Sequence, residues 1–179
     1  MSDNINEIWT VGHSTHTADE FVEILLKHEV AMLVDVRSFP GSRRYPHFSR
    51  EALMRELPAH GIQYRHMPEL GGRRKARPGS ANVAWRNEGF RGYADYMETI
   101  DFKKGIETLL ELAGHQRTAV MCAEALWWRC HRSLISDYLK SKGVEVTHIL
   151  SAGKSEPHRF TSVAQIINGE LSYKGLLAG

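Results

Sequence analysis

Candidate strands alternate with amphipathic helical segments along most of this chain. The candidate strands are EIWTVG at 7–12, AMLVDV at 31–36, QYRH at 63–66, TAVMC at 118–122 and EVTHIL at 145–150. Apolar residues at helical spacing fill the intervals between them, most clearly at 18–28, 50–57, 92–112 and 129–141. Alternation of this kind favours a parallel sheet that helices cover on both faces. We therefore predict a single three-layer α/β domain over residues 1–179, with a mostly parallel sheet.

Local signals mark several helix ends. Thr17 and Glu20 match a capping box, in which two polar side chains satisfy free backbone amides at the start of a helix. Ser49 is a candidate N-cap for the second helix, and Gly143 suits the left-handed residue that follows the helix at 129–141. The tail gives weaker signals, from which we predict one more helix at 160–167.

Composition excludes several classes of protein. Hydrophobic residues make up 42% of the chain and charged residues 25%, which excludes a disordered chain and a coiled coil. No run approaches the roughly 18 apolar residues that a membrane span needs. The segment 1–7 is polar, unlike a secretory signal, and two cysteines do not form a disulfide scaffold. We therefore expect a cytoplasmic protein with no membrane partner.

Positive charge is concentrated in one stretch. Residues 37–91 hold twelve Arg and Lys against four Asp and Glu, and eleven of the twelve are arginines. Within this stretch, 67–90 shows no periodicity and is too long, at about 24 residues, for an ordinary connection. Arginine suits two-point contacts with phosphate or carboxylate, which favours an anionic small molecule as the partner. Two alternatives stay open: a solvated surface with internal ion pairs, and a nucleic-acid or nucleotide binding loop at 71–91 that uses nearby aromatic rings.

Reactive residues follow three of the predicted strands. His13 and Ser14 follow the first strand, the second ends at Asp35 and Arg37, and the fourth ends at Cys122, two residues before Glu124. Ligands of open parallel sheets bind beyond the carboxyl ends of the strands. We therefore expect these clusters to share one edge of the sheet and to form a binding site there.

Cys122 is the candidate nucleophile, because it lies between a buried strand and a helix start. Free amides at a helix start bind anions and lower the pKa of a nearby thiol, and Arg129 and Arg132 add positive charge. This layout resembles the cysteine loops of rhodaneses and low-molecular-weight phosphatases. It departs from the phosphatase signature in having six residues, instead of five, between Cys122 and Arg129. An inert buried thiol is the alternative for Cys122, and core packing is favoured for Cys130.

The predicted site combines catalytic and anion-binding side chains. His13 is a candidate general acid or base, since its usual pKa lies near neutrality, while Asp35 and Glu124 would orient cationic partners. The predicted catalytic set is Cys122, His13, Glu124 and Asp35. The predicted anion-binding set is Ser14, Arg37, Arg43, Arg44, Arg73, Arg74, Arg129 and Arg132. We expect no cofactor and no metal, because the C-x7-C-H spacing at 122–131 is not a standard zinc pattern. A metal-dependent enzyme stays an alternative.

Several segments together resemble one family, the bacterial "domain of unknown function 488". The matching segments are TVGHS at 10–14, LVDVRS at 33–38, PELGG at 68–72, GFRGYADY at 89–96 and MCAE at 121–124 with CHR at 130–132. They extend over a family-like core of about 8–155, leaving 156–179 as a C-terminal extension. The resemblance implies a soluble bacterial α/β domain, and it marks the residues at the strand ends as motif positions. It implies no activity.

Overall fold

Five of the six strands in the central sheet are the predicted ones. The computed structural model describes residues 7–175. Its strands are β1 (Glu7–Gly12), β2 (Met32–Asp35), β3 (Gln63–His66), β4 (Thr118–Cys122), β5 (Glu145–Ser151) and β6 (Lys154–Pro157). The order across the sheet is β3-β2-β4-β1-β5-β6, and only β6 pairs antiparallel to its neighbour. The predicted mostly parallel α/β fold is confirmed.

Five α-helices accompany the sheet within residues 7–175. They are α1 (Ala18–Lys27), α2 (Arg50–Glu56), α3 (Glu88–Tyr96), α4 (Ile100–His115) and α5 (Arg132–Ser141). Alternate strand residues enter two separate apolar cores: Val120 and Cys122 of β4 pack with α3, α4 and α5, whereas Ala119 and Met121 pack with α1 and α2. Side chains of a strand point alternately to opposite faces, so this division produces the predicted three layers. No helix in the described part of the chain is both long and apolar enough to span a membrane.

The predicted helix signals at Thr17, Ser49 and Gly143 are confirmed. Thr17 accepts a hydrogen bond from the Glu20 amide, and the Glu20 carboxylate accepts one from the Thr17 amide. The Ser49 side chain accepts from the Ala52 amide at the start of α2. Gly143 follows α5 with a φ of 85°, a conformation that glycine adopts without steric cost.

Three predicted helices differ from the structure. The segment 92–112 is divided between α3 and α4, because Thr99 caps a new helix by accepting from the Phe102 amide. The last predicted core helix begins at Arg132 and not at 129, since 127–129 forms a separate 3-10 turn. The predicted helix at 160–167 is wrong.

A small hairpin occupies the end of that tail segment, formed by β7 (Gln165–Ile167) and β8 (Glu170–Ser172). Asn168 and Gly169 form its turn, and both have positive φ. An Asn-Gly pair is the strongest short-range hairpin signal that a sequence carries. Tyr173 then returns to the core beside α5, where it is 3% exposed. The prediction of a single domain over 1–179 stays a prediction. The expected absence of a secretory signal concerns residues 1–6, which lie outside the described residues.

Candidate functional site

The three predicted clusters meet at the carboxyl edge of the sheet. Gly12 pairs with Cys122, and Asp35 pairs with Met121, so β1, β2 and β4 end at the same level. The His13 amide donates to the Cys122 carbonyl at 2.9 Å. Gly12 allows the chain after β4 to pass close by, since a Cβ there would lie 1.9 Å from the Glu124 carbonyl oxygen. The expected sharing of one edge is therefore confirmed.

Two cysteine sulfurs lie together at this edge. Cys122 ends β4 and is 3% exposed, while Cys130 lies in the loop before α5. Their Sγ atoms are 3.0 Å apart. Burial and the contact with Cys130 raise the pKa of Cys122 well above its usual value, so this thiol keeps its proton. Cys122 therefore donates its hydrogen to the Cys130 sulfur.

Arg132 completes the environment of Cys130. Its backbone amide and its side-chain Nε each lie 3.3 Å from the Cys130 Sγ atom and donate to it. Burial by itself would raise the pKa of Cys130, but the hydrogen bond from Cys122 and the charge of Arg132 outweigh it and lower the pKa to about 6. Near neutral pH, Cys130 is thus a thiolate held between a thiol and a guanidinium group.

The surroundings of the two cysteines differ from those predicted. The helix start and the arginine, which were expected beside Cys122, both lie against Cys130. The position of Arg132 does not support its predicted anion-binding role, because its side chain is 1% exposed and donates to the Thr10 hydroxyl at 3.1 Å and to the Glu124 carbonyl at 2.6 Å. Its positive charge is directed at Cys130 and the loop that carries it.

A cleft of about 450 Å³ opens over the cysteine pair. Both cysteines line it, together with four of the predicted site residues, Arg37, Arg73, Glu124 and Arg129. Arg73 and Arg129 are exposed, whereas Arg37 is 9% exposed. Glu124 is exposed too, and its backbone oxygen, not its carboxylate, is the atom near Cys122, at 3.6 Å from the sulfur. The cleft therefore presents three arginines and one carboxylate around two sulfur atoms.

His13 lies behind the cleft and is engaged at both ring nitrogens. Its Nδ1 donates to the Ser14 carbonyl at 2.9 Å, and its Nε2 accepts from Arg37 Nη1 at 3.3 Å. Burial lowers its pKa to about 4, so the ring is neutral at pH 7. A ring with no free nitrogen cannot exchange a proton with a ligand, so this geometry does not favour the predicted acid–base role.

Asp35 orients Arg37, as predicted for a strand-end carboxylate. It is fully buried and accepts from Arg37 Nε at 2.9 Å, from Nη2 at 2.7 Å and from the Tyr64 hydroxyl. Its carboxylate lies behind the cleft, not on its surface. Ser14, Arg43 and Arg44 do not line the cleft either, so their predicted contacts with the ligand are not supported by position.

Two arginines of the 71–91 loop form hydrogen bonds and ion pairs within the protein. Arg74 donates to the carbonyls of Gly71 and Pro68 and lies 3.6 Å from the centre of the Tyr96 ring. Arg77 pairs with Asp95 and Glu98 of the helix region that follows. These contacts anchor the loop to α3 and its end, which matches the alternative of internal ion pairs. They leave Arg73 as a loop arginine that reaches the cleft.

A metal centre has no support from this geometry. No group of three or more His, Cys, Asp or Glu is placed to hold a metal ion within residues 7–175. Cys130 and His131 diverge as predicted, because the Cys130 sulfur faces Cys122 whereas His131 Nε2 lies 2.9 Å from the Val36 carbonyl. Gly72 packs against the His131 ring, because a Cβ at position 72 would lie 2.5 Å from His131 Nδ1.

Four buried polar residues behind Arg132 were not predicted as part of the site: Thr10, His148, His158 and Asp137. Each is at most 4% exposed. Thr10 and His148 occupy paired positions of the adjacent strands β1 and β5, and their side chains hydrogen-bond at 2.6 Å. Polar residues inside two predicted strands were the available signal, but only the strand order shows that they meet. Trp127 stacks on His148 at 4.3 Å and separates these residues from the surface, while its neighbour Trp128 is 49% exposed.

Comparisons with known proteins identify one family. The family model described as "Domain of unknown function DUF488" matches residues 17–139, which is more than half of the chain. The match includes both cysteines and Arg132 but not β5, and it is shorter than the core expected from the sequence segments. No curated protein and no solved structure matches the chain significantly.

Proposed function

This chain belongs to the DUF488 family, and on that premise we propose that the cleft is the active site of a cysteine-dependent thiol–disulfide oxidoreductase that acts on small anionic sulfur compounds. Cys130 is the nucleophile and Cys122 is the second, resolving thiol. One observation carries this proposal. The Cys130 sulfur, whose pKa is lowered, contacts the protonated Cys122 thiol, and both line a cleft that also contains arginines.

The paired thiols favour sulfur chemistry over hydrolysis. A thiolate attacks the electrophilic sulfur of a disulfide or related compound, and its reactivity depends on the thiolate fraction at the working pH. A second thiol 3.0 Å away can then attack the newly formed bond before water does. Hydrolysis would need an activated water, and His13, the predicted base, has both ring nitrogens engaged.

The reaction with an anionic disulfide R–S–S–R proceeds in two exchanges. The Cys130 thiolate attacks one substrate sulfur, the substrate S–S bond breaks, and RS⁻ leaves with the electron pair. Cys122 then loses its proton to the departing thiolate or to solvent and attacks the Cys130 sulfur, which releases the second RS⁻. The substrate gains two electrons, the cysteines form a disulfide, and an external thiol must reduce this disulfide before the next turnover.

The arginines of the cleft support an anionic substrate. Arg73 and Arg129 are exposed on the cleft, and Arg37 lies deeper, where Asp35 neutralises most of its charge. Exposed guanidinium groups attract an anion and bind it by charge-assisted hydrogen bonds. The Glu124 carboxylate opposes this effect at one side of the cleft.

The test uses the reduced protein and two anionic sulfur donors, glutathione disulfide and thiosulfate. In the wild-type protein, we expect glutathione disulfide to leave a disulfide between Cys122 and Cys130. In Cys122→Ser, where the resolving thiol is gone, we expect a mixed disulfide on Cys130 with the first donor and a persulfide on Cys130 with the second, both located by peptide mass spectrometry. Adducts on Cys122 in preference to Cys130 in the wild-type protein, or no adduct on Cys130 of Cys122→Ser from either donor, would overturn the proposal.

A charge control separates binding from chemistry. The double variant Arg73→Gln with Arg129→Gln should react several-fold more slowly with glutathione disulfide, because the electrostatic attraction is reduced. Its rate with the neutral 2-hydroxyethyl disulfide should stay at the wild-type value. Equal slowing with both disulfides would show that the arginines do not select the anion.

A further inference from the structure

A line of hydrogen bonds runs through the protein from Cys130 to a carboxylate in α5. Arg132 Nη1 donates to Thr10 Oγ1 at 3.1 Å, and Thr10 Oγ1 lies 2.6 Å from His148 Nδ1. His148 Nε2 lies 2.8 Å from His158 Nδ1, and His158 Nε2 lies 2.8 Å from Asp137 Oδ1. Each bond is short and direct, so the five side chains form one connected structure.

One direction of donation satisfies all five side chains of this line. Arg132 can only donate, so the Thr10 hydroxyl accepts from it and has its own hydrogen available for His148 Nδ1. Burial lowers the pKa of His148 to about 2, so its ring is neutral, and with Nδ1 as acceptor its Nε2–H donates to His158. His158 in turn donates through Nε2 to the Asp137 carboxylate. In this arrangement every donor of the line has an acceptor.

Asp137 is the firmly held end of the line. It is fully buried and also accepts from the Thr161 amide at 3.0 Å, the Thr161 hydroxyl at 2.6 Å and the Tyr173 hydroxyl at 2.7 Å. Four hydrogen bonds fix the carboxylate, and Trp127 covers the histidines by stacking on His148. This firmly held acceptor supports the line that ends at Arg132 Nη1, while Arg132 Nη2 is held directly by the Glu124 carbonyl at 2.6 Å.

We propose that Asp137, His158, His148 and Thr10 are positioning residues that hold the Arg132 guanidinium in contact with the Cys130 sulfur and so set the reactivity of this thiolate. The inference rests on the proposed function in that it explains how its nucleophile is prepared. None of the four residues touches the cleft, and none was predicted to take part in the site.

Other groups around Cys130 could also influence its titration. They are Cys122 of β4, Arg132 of α5, Tyr93 of α3 and, around the cleft, Arg37, Arg73, Glu124, Arg129 and His131. All of them stay unchanged in variants of the four positioning residues. A shift in the titration of Cys130 in such variants can therefore be assigned to the hydrogen-bonded line.

The decisive pair of variants lies at Thr10, next to Arg132. Thr10→Val keeps the shape and removes the hydroxyl, whereas Thr10→Ser keeps the hydroxyl. Iodoacetamide alkylation of Cys130 is measured against pH by peptide mass spectrometry, which reads Cys130 separately from Cys122. We expect the midpoint for Thr10→Val to move to higher pH, with a fall of roughly tenfold in rate at pH 7 if the pKa approaches the ordinary thiol value. Thr10→Ser should keep the wild-type profile.

Asp137→Asn tests the far end of the line, and the direction in which it shifts the pH midpoint of Cys130 alkylation is informative. Removing a negative charge would lower the pKa of a distant thiol by direct electrostatics, whereas loosening Arg132 would raise it. We expect a raised midpoint. Tyr173→Phe is the matched control, because it removes one hydrogen bond to Asp137 without breaking the line, and its profile should be that of the wild type.

The outcomes separate this inference from the proposed function. Wild-type alkylation profiles in both Thr10→Val and Asp137→Asn, or a lowered midpoint in Asp137→Asn, would overturn the positioning role. Neither result depends on a substrate. Raised midpoints in a protein that forms no adduct with sulfur donors would leave the positioning role standing and reject the proposed activity.

Discussion

Two buried arginines lie at the same edge of the sheet, and each contacts a different anion. Arg37 is held by the Asp35 carboxylate, with Nε and Nη2 at 2.9 and 2.7 Å. Arg132 contacts the Cys130 sulfur through Nε and its backbone amide, both at 3.3 Å. The first anion is a weak nucleophile that lies behind the cleft, whereas the second is a good nucleophile that lines it.

The difference separates a structural ion pair from a reactive one. Asp35 and Arg37 satisfy each other, and Arg37 also donates to the Phe48 carbonyl, so the pair stabilises the strand end and the loop after it. Around Cys130, the same kind of charge lowers the pKa of a group that can attack a substrate. Variants of the two arginine sites should therefore affect stability and thiol reactivity differently.

Replacing Cys130 should eliminate the reactive thiol completely. In Cys130→Ser, we expect no rapid alkylation at pH 7, because Cys122 is buried and its pKa is raised. In Cys122→Ser, Cys130 should still react, since Arg132 and a serine hydroxyl remain beside it. Peptide-resolved mass spectrometry after brief iodoacetamide treatment measures both. Rapid modification of Cys122 in the Cys130→Ser protein would contradict the assignment.

Breaking the carboxylate pair should cost stability and leave thiol chemistry intact. Asp35→Asn leaves a buried guanidinium without its counter-charge, so we expect the free energy of unfolding to fall by about 3–5 kcal/mol. Urea unfolding measures the loss. Below the transition, the pH profile of Cys130 alkylation should equal that of the wild type, and a shifted profile would show that the two arginine sites are coupled.

Changing Arg132 should instead reduce the reactivity of the Cys130 thiol. Arg132→Lys keeps the positive charge but loses the fixed donor at Nε, and lysine cannot contact Thr10, Cys130 and Glu124 together. We expect the alkylation rate of Cys130 at pH 7 to fall by roughly tenfold as its pKa rises toward the ordinary value. An unchanged rate would show that charge alone, without geometry, prepares the thiolate.

The lowered pKa of Cys130 also makes stability depend on pH. Because folding lowers the pKa of Cys130 to about 6, the thiolate contributes stability that is fully present above the unfolded pKa, near 8.5, and is lost as the pH falls through about 6. The difference in unfolding free energy between wild type and Cys130→Ser should therefore grow between pH 6 and pH 8. Urea titrations at several pH values measure this slope, and a difference independent of pH would oppose the assignment.

The sequence was sufficient for the features that depend on neighbouring residues. Alternating apolar patterns predicted the strands, and residues at the ends of different strands, such as His13, Asp35 and Cys122, were placed at one edge because parallel strands end together. Cys130 packs against the core as expected, but its predicted place on the helix was wrong for a local reason. The 3-10 turn at 127–129 delays the start of α5 to Arg132, so Cys130 precedes the helix instead of lying within it.

The features that could not be predicted join distant parts of the chain. Thr10 and His148 meet only because β1 lies between β4 and β5 in the sheet. His158 and Asp137 join them from a segment after β6 and from α5. A polar residue in a strand, a helix or a loop carries no information about its distant partners until the strand order is known, so this network had to come from the structure.

The central claim is that Cys130 is a thiolate near neutral pH, and its alkylation profile tests this most directly. In the wild-type protein, the rate of Cys130 modification by iodoacetamide should rise with a midpoint near pH 6 and level off above pH 7, while Cys122 stays unmodified. A midpoint near the ordinary thiol value of about 8.5, or faster modification of Cys122, would contradict the account.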